Sequence, residues 1–383
     1  MKVCLIAQVV NWRGGIQQYS QNYAQALAEL VELVVVGYKS YFPLFLYPGD
    51  KKKITSQHRP WQSDIPLHNE LKYYSLVSSY RAYCIISKQE KADVVDIQWC
   101  TTFHAPILIP LVWLLRLFSK TKIFITVHNV LPHETRFFDK FFCGLLYRSA
   151  HRLIVHSQKM KDDLMELFNV PDTQALVIPH GICLDHKEAV TSEEARKRLG
   201  ITQQFTLLFF GLIRHYKGLD ILLEGFAKIA DEFDVGLVVA GDFVEDRDVY
   251  EQFIRTRGLE NKTYIFPGYV DDRDVPVYFS AADVIVQPYR HFAGQSGVPP
   301  TAYFYEKPVI ASRVGGLPEI VIDHHTGLTI EPDVDELAAA LRFLLSRPDI
   351  MVRYGQNGRR FLEQELSWEN IARIMKKNYE QAL

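Results

Sequence analysis

The sequence alternates short apolar runs with longer helical patterns, in two successive series along its 383 residues. In the first series, the runs predicted to be β-strands are Lys2–Val10, Val31–Gly37, Val94–Gln98, Ile123–His128, Arg152–Val155 and Ala175–Ile178. In the second series, they are Thr206–Phe210, Val235–Ala240, Thr263–Phe266, Val284–Gln287, Pro308–Ala311 and Gly327–Ile330. Strands that alternate with helices are typical of βαβ units, in which helices cover both faces of a parallel sheet. The sequence therefore predicts an α/β protein with two doubly wound, Rossmann-like domains.

The segment between the two series indicates where the domains meet. Its stretch TSEEARKRLG predicts a short surface helix, because Thr191 and Glu194 form a capping box and Gly200 suits a helix end. At the end of the chain, Ser367 is positioned to cap a final amphipathic helix. The predicted segments are a first domain over residues 1–183, a linker at 183–189, a second domain over 184–366 and a terminal helix over 367–383.

Composition excludes several classes of protein. A formal net charge of −2 gives no reason to expect nucleic acid as a partner. No pair of cysteines has C-x-x-C spacing, so we expect neither a zinc site nor disulfides. We expect the protein to occupy a reducing compartment. The apolar strand directly after Met1-Lys2 does not resemble a signal peptide, and we expect a cytoplasmic protein. The cysteines are Cys4, Cys84, Cys100, Cys143 and Cys183.

The most apolar stretch, Ala105–Phe118, is too short to cross a bilayer, which takes roughly 18–20 residues. Two hypotheses fit it. The favoured one is a core helix, because buried helices of this composition are common. The other is a surface helix whose apolar side contacts the inner face of a membrane, assisted by Arg116, Lys120 and Lys122.

In doubly wound sheets, ligands bind outside the carboxyl ends of the strands. In the first domain, Gly14-Gly15 follows the first strand and is equally suited to a phosphate contact or to a plain turn. There is no G-x-G-x-x-G, so a dinucleotide site is disfavoured. His128 ends a strand and is as suited to a cleft as to a structural role. His133-Glu134 lacks a third ligand, so we interpret it as a loop pair or an acceptor-side pair and predict no metal site.

The second domain carries two candidate anion sites. Arg214 and Lys217 follow a buried strand at the start of a helix. One interpretation is that they are solvated surface charges. The start of a helix carries partial positive charge and disfavours cations, however, so the pair is better explained as a site for a diphosphate. After the strand Val284–Gln287, the residues Ser296 and Gly297 leave main-chain N–H groups for a second anion site.

These motifs together resemble the family-four retaining glycosyltransferases of the GT-B fold, over essentially the whole chain. They are GGIQQYS, TVHN, VIPHG, FGLIRHYKG, VAGD and KPVIASRVGGLPEIV followed by HTGLTIEPD. The resemblance implies transfer of a sugar from a nucleotide-sugar donor, such as a UDP- or GDP-sugar, with retention and without a metal or other cofactor. It also implies that the second domain binds the nucleotide, that the first holds the acceptor, and that the terminal helix packs back on the first domain.

Several residue roles are implied by position in the family. Gly14 and Gly15 would lie at the donor phosphate or sugar, and His128 at the sugar. Arg214 and Lys217 would bind the diphosphate. The remaining donor contacts implied or considered are Gly241, Asp242, Tyr269, Val270, Arg290, Gln295, Ser296, Gly297, Val298 and Thr301.

The chain departs from the family where paired glutamates are usual: those positions are Ala293 and Thr301, and Leu212 replaces an arginine. The Q-S-G stretch resembles a bacterial branch that makes cell-surface polysaccharide. We expect front-face attack, in which the leaving diphosphate accepts the proton of the acceptor hydroxyl. Such a reaction needs no protein carboxylate as nucleophile, but it needs positive potential at the diphosphate. The acceptor would be a glycan or a lipid-linked sugar. The alternatives are a sugar-nucleotide epimerase or phosphorylase, and a catalytically silent sugar-nucleotide-binding protein.

Overall fold

The computed structural model describes residues 1–10, 15–41, 61, 63–131, 137–182, 190–292, 296–322 and 325–383. The chain forms two compact units, Met1–Cys183 with Glu365–Leu383, and Leu184–Gln364. Some predictions lie outside the described residues, and nothing further is stated of them: Gly14, His133-Glu134, the linker at 183–189 with Cys183, Ala293 and Gln295.

Seven parallel strands form the sheet of the first unit. They are β1 (Lys2–Ile6), β2 (Glu32–Ser40), β3 (Leu67–Lys72), β4 (Val94–Trp99), β5 (Lys122–Val127), β6 (Arg152–Val155) and β7 (Ala175–Val177). Their order is β3-β2-β1-β4-β5-β6-β7. The helices between them are α1 (Gly15–Ala28), α2 (Leu76–Cys84), α3 (Ala105–Phe118), α4 (Asp139–Ser149) and α5 (Gln158–Phe168). The six strands of the first predicted series are all present.

Strand β3 is the strand that sequence patterns missed. Its sequence LHNELK is mostly polar, and Leu71 alone among its residues is buried. An edge strand pairs on one side and need not be apolar on both faces, so it lacks the continuous apolar run that marks the strands in the middle of a parallel sheet.

Six parallel strands form the sheet of the second unit. They are β8 (Phe205–Phe210), β9 (Val235–Gly241), β10 (Thr263–Pro267), β11 (Val284–Gln287), β12 (Val309–Ser312) and β13 (Gly327–Ile330), in the order β10-β9-β8-β11-β12-β13. The helices are α6 (Ser192–Leu199), α7 (Leu219–Ala227), α8 (Arg247–Thr256), α9 (Val275–Ala281), α10 (Val298–Phe304), α11 (Leu317–Ile320), α12 (Val334–Leu345) and α13 (Pro348–Glu365). The prediction of two parallel α/β sheets is confirmed.

Each sheet has a point at which the strand order reverses, between β1 and β4 in the first unit and between β8 and β11 in the second. At such a point the loops that leave the carboxyl ends of the two strands diverge to opposite faces of the sheet. The crevice between them is where ligands bind in open α/β sheets. The structure therefore gives each unit one favoured edge for a site.

The chain ends in helix α14 (Trp368–Ala382), which packs on α1. The predicted cap is present, because the Ser367 hydroxyl accepts a hydrogen bond from the main-chain N–H of Asn370 at 3.3 Å. Ile371, Met375 and Tyr379 bury the apolar face of this helix against the first unit. The terminal helix thus belongs structurally to the first unit, although it follows the second in sequence.

Helix α3 has a buried face, as the favoured hypothesis expects, and its contact with a membrane stays a prediction. One face is core, with Leu108, Leu111 and Leu115 fully buried. On the other face, Leu117 and Phe118 at its end are 73% and 68% exposed. Among the described residues, no helix combines the length and the apolar character that crossing a bilayer would require.

Candidate functional site

The carboxyl edge of the second sheet is built from the ends of β8 and β9. After β8, the main-chain N–H of Ile213 donates to the Asp242 carbonyl at 2.8 Å, which ties the loop after β8 to the loop after β9. The two backbones approach so closely that a Cβ on Gly241 would lie 1.9 Å from the Gly211 carbonyl oxygen. Glycine at 241, with φ +151°, is therefore a steric requirement of this edge.

Lys217 lies in a short 3-10 turn at this edge and is 9% exposed. Gly218 follows with φ +71°, and α7 begins at Leu219; a Cβ on Gly218 would lie 2.1 Å from the Pro288 carbonyl oxygen. The turn is thus held against the loop after β11. The lysine ammonium lies at the start of the loop after β8: a Cβ on Gly211 would be 3.3 Å from Lys217 Nζ, and the centre of the Tyr289 ring is 5.5 Å from it.

Lys217 and Arg214 are two neighbouring cations at this edge of the sheet. In the part of the chain that the structure describes, neither side chain forms an ion pair. Burial, and then the charge of Arg214, lowers the pKa of Lys217 from 10.5 to about 8. A desolvated ammonium without a counterion is a suitable place for an anionic ligand.

Arg290 has a partner of its own. Its guanidinium pairs with both carboxylate oxygens of Asp220, at 2.8 and 2.5 Å, and donates to the His215 carbonyl at 2.9 Å. Its main-chain N–H donates to the Tyr216 carbonyl at 2.7 Å. Arg290 therefore holds the loop after β11 against the Lys217 turn, and a direct donor contact by Arg290 stays a prediction.

The loop after β11 is organised by Gln287, which is 2% exposed. Its amide N–H₂ donates to the Tyr289 hydroxyl at 2.7 Å and to the Ser296 hydroxyl at 2.9 Å. Ser296 in turn accepts from the main-chain N–H of Val298 at 3.3 Å, and the Thr301 hydroxyl donates to the Gly297 carbonyl at 2.7 Å. These bonds shape the entrance to α10, so Ser296 and Thr301 already have structural roles.

The remaining predicted donor residues follow the same edge of the second sheet. Asp242 is exposed after β9, and Tyr269, 62% exposed, and the half-buried Val270 come shortly after β10. The structure therefore brings those predicted residues of the second unit that it describes to one edge, as expected of loops that leave parallel strands. Their contacts with a donor stay predictions.

In the first unit, His128 follows β5 and its ring joins an aromatic cluster. The ring centroid lies 4.7 Å from that of Tyr19 and 5.2 Å from that of His156, which is 5.2 Å from His180. Burial, followed by the charges of His156 and His180, lowers the pKa of His128 well below its usual 6.5. His128 is therefore a neutral imidazole at physiological pH.

Beneath His128 lies a buried carboxylate that the sequence analysis did not single out. Asp96 on β4 is fully buried, and its two oxygens accept hydrogen bonds from Thr126, Gln98, Tyr23 and Tyr379. The signal was present in VVDIQW, because Asp96 and Gln98 are two residues apart on a strand and so share a face of the sheet. A carboxylate and an amide in an otherwise apolar, buried strand need hydrogen-bond partners.

No group of three or more His, Cys, Asp or Glu residues with a geometry that suits a metal ion occurs in the described ranges. The cluster of His128, His156 and His180 is held instead by ring contacts and by main-chain acceptors: His156 contacts the Ile178 carbonyl at 3.0 Å and His180 the Gly181 carbonyl at 2.6 Å.

Two family models match the chain. The model of "Glycosyltransferase Family 4" matches residues 13–186, and that of "Glycosyl transferases group 1" matches residues 204–347. Together they cover most of both units. The chain belongs to the family 4, group 1 glycosyltransferases. The resemblance stated from the motifs is thereby confirmed at the level of the family, whereas the branch with the Q-S-G stretch stays a prediction.

The individual relatives are distant in sequence. An uncharacterized glycosyltransferase of Methanocaldococcus jannaschii is 28% identical over 230 residues, which are 58% of either chain. The D-inositol 3-phosphate glycosyltransferase of Geodermatophilus obscurus is 30% identical over 231 residues, covering 57% of this chain and 50% of the relative. The chain thus matches between half and three fifths of the length of these curated relatives.

Solved structures agree with the fold along the whole chain. The Anabaena protein HepE, solved in complex with UDP, superposes with a TM-score of 0.75 at 17% identity and covers 100% of both chains. This likeness confirms the predicted GT-B fold class.

Proposed function

We propose that this protein is a metal-independent, retaining glycosyltransferase that moves a sugar from a nucleotide-diphosphate donor to a glycan or lipid-linked acceptor. The observation that carries the proposal is Lys217, a buried ammonium without a counterion in the described part of the chain, beside Arg214. Family membership supports sugar transfer, and the curated relatives are named as glycosyltransferases. HepE has been solved with UDP and with UDP-glucose, which supports a nucleotide-sugar donor.

The proposed reaction places the donor diphosphate at Lys217 and Arg214. As the bond from the anomeric carbon to the diphosphate oxygen breaks, its electron pair passes to that oxygen. The acceptor hydroxyl attacks the same face of the sugar and transfers its proton to the departing diphosphate. Fixed cations that face the developing negative charge stabilise this transition state more than the ground state, which is how they accelerate the reaction. His128, being neutral, serves as a hydrogen-bonding group towards the sugar.

Peripheral contact with a membrane is the part of the proposal that concerns location. The exposed Leu117 and Phe118 border a surface cavity with a basic lining. Apolar side chains beside clustered cations are the combination that binds anionic lipid surfaces. We propose a cytoplasmic enzyme that works at the inner face of the membrane in cell-surface polysaccharide synthesis. The cations that line the cavity are Lys88, Lys91, Arg116, Lys120 and Lys122.

The transferase proposal is tested by thermal-shift measurements with UDP-, GDP- and ADP-sugars, followed by product analysis of the stabilising donor with candidate acceptors. A ligand at a hundred times its dissociation constant adds about 2.7 kcal/mol of stability. Transfer with retained anomeric configuration supports the proposal. Stabilisation without transfer or donor hydrolysis would indicate a silent binding protein, and turnover without an acceptor sugar would indicate an epimerase.

Flotation with vesicles tests the location. Wild-type protein is expected to bind vesicles that contain anionic lipid and not neutral ones, and Phe118→Ser with Lys120→Ser is expected to lower binding at unchanged thermal stability. Equal binding of wild type and variant would contradict a membrane role for this face.

A further inference from the structure

A chain of hydrogen bonds leads from the buried core of the first unit to His128. Asp96 Oδ1 accepts from Gln98 Nε2 at 3.3 Å and from the Thr126 hydroxyl at 3.0 Å. The other end of the Gln98 amide, Oε1, lies 2.9 Å from His128 Nε2. Gln98 is thus the link between a buried carboxylate and the half-buried imidazole at the carboxyl edge of the sheet.

The Asp96 carboxylate is fixed from its other side as well. Its Oδ2 accepts from the Tyr379 hydroxyl at 2.6 Å and from the Tyr23 hydroxyl at 3.1 Å. With donors on both oxygens, the side chain cannot rotate without losing bonds in a dry environment, where each unpaired polar group costs free energy. Asp96 is therefore held in one orientation, and it determines the direction of the hydrogen bonds that lead through Gln98 to His128.

The chemistry of the donors and acceptors determines which atom carries each proton in this series of hydrogen bonds. An ionised carboxylate only accepts, so Gln98 must direct its N–H₂ group to Asp96 and its carbonyl oxygen to His128. A carbonyl oxygen only accepts, so His128 must carry a proton on Nε2. Because the ring is neutral, its other nitrogen, Nδ1, then has a lone pair and no proton.

We propose that Gln98, oriented by Asp96, is a positioning residue that holds His128 as the Nε2–H tautomer, so that Nδ1 accepts a hydrogen bond from a sugar hydroxyl. The role towards the sugar rests on the proposed glycosyltransferase function; the tautomer does not. The assignment restricts the ligand: a group that donates a hydrogen bond is accepted at Nδ1, and a group that only accepts is rejected. The terminal helix contributes to it through Tyr379.

The tautomer is measured in the free protein, labelled with ¹⁵N-histidine, by two-bond ¹H–¹⁵N correlations; His128 is assigned from the signal lost in His128→Asn. The wild type is expected to show a neutral ring with the proton on Nε2. A proton on Nδ1 in the wild type would overturn the proposal without any other variant.

Two matched variants separate positioning from simple packing. Gln98→Met keeps the length of the side chain and removes both hydrogen bonds, so we expect a mixture of tautomers at His128. Thr126→Val removes a neighbouring bond to the same oxygen of Asp96 without contacting His128, so the tautomer should be unchanged. An unaltered tautomer in Gln98→Met, or equal changes in both variants, would contradict a specific role for Gln98.

Activity is a separate measurement. With the cognate donor, Gln98→Met should lower kcat/KM for transfer roughly tenfold or more, as expected of a misplaced contact, and Thr126→Val should lower it less. The dissociation constant of the free nucleotide should not change, since the cations proposed to bind it belong to the second unit. A wild-type protein with the predicted tautomer and no transfer activity would refute the proposed function and leave the tautomer assignment standing; an altered tautomer with unchanged transfer would refute the contact with the sugar.

Discussion

Replacing Lys217 by methionine should make the protein more stable and catalytically poor. In the free protein, the folded environment lowers the Lys217 pKa from 10.5 to about 8, mainly through burial. At about 1.4 kcal/mol per pKa unit, this difference corresponds to about 3 kcal/mol of destabilisation while the lysine is charged. Methionine has a similar length and no charge, so Lys217→Met should raise the free energy of unfolding of the second unit by up to about 3 kcal/mol at pH 7.

The pH dependence gives this prediction a definite sign. Below pH 8 the lysine is charged in both folded and unfolded chains, and the full penalty is present. Between pH 8 and 10.5 the folded state binds fewer protons than the unfolded state, so the stability of the wild type rises with pH. The difference between Lys217→Met and wild type should therefore be largest below pH 8 and should disappear as pH approaches 10.5.

The assay is thermal and urea unfolding of both proteins at several pH values, beside steady-state transfer with the cognate donor. Loss of a cation that faces the leaving diphosphate should lower kcat by about 10²–10³-fold. Lys228→Met is the matched control, because Lys228 is exposed in an ion pair with Asp335 and should change stability by less than about 1 kcal/mol. A destabilised Lys217→Met with normal transfer would refute the assignment of Lys217 as a functional charge.

Three further outcomes are expected. Transfer should persist after chelation by EDTA; complete loss that manganese or magnesium restores would contradict the metal-independent mechanism. Gly241→Ala should lower the melting temperature much more than Gly200→Ala, because a Cβ at 241 would lie 1.9 Å from a carbonyl oxygen whereas one at 200 meets no atom within 4 Å. Tyr379→Phe should destabilise the protein by about 1–3 kcal/mol at pH 8 and by less at pH 5, where Asp96 is protonated and a lost donor matters less; equal loss at both pH values would contradict this.

Sequence patterns predicted the two sheets well, because the central strands of a parallel sheet are apolar on both faces and produce continuous runs. The helix ends followed from local chemistry in the same way. At α6, the Thr191 hydroxyl accepts from the Glu194 N–H at 3.2 Å and Gly200 has φ +70°, as its capping box and terminal glycine indicated. Such signals are local, so a single sequence contains them in full.

The polar partners of the site residues could not be predicted, because they come from distant parts of the chain. Arg290 was expected to contact a donor, and its bidentate bond to Asp220 joins residues 70 positions apart. Tyr379 and Asp96 are 283 positions apart. Apolar burial follows from the period of a helix or strand, whereas the partner of a buried carboxylate depends on how the helices of one unit pack on its sheet.

Two charges that burial disfavours, Asp96 in the first unit and Lys217 in the second, set opposite limits on pH. Burial raises the pKa of Asp96 from 3.8 to about 6, against hydrogen bonds from Tyr379, Thr126 and Tyr23 that lower it. Because the folded state binds the extra proton between pH 3.8 and 6, this carboxyl favours folding most below pH 3.8, and that contribution is lost above pH 6. Above pH 6 its ionised form therefore costs about 3 kcal/mol relative to the unfolded chain.

Lys217 has the reverse dependence, so both penalties are present together between pH 6 and pH 8. This is also the range in which the proposed chemistry needs both charges: an ionised Asp96 to orient Gln98, and a protonated Lys217 to face a diphosphate. A protein selected for stability alone would replace both groups with apolar ones, since burial destabilises the charged form of each. That both unfavourable charges occur in the same pH range supports a functional role for each. We therefore predict that transfer falls below pH 6, following the protonation of Asp96, and above pH 8, following the deprotonation of Lys217.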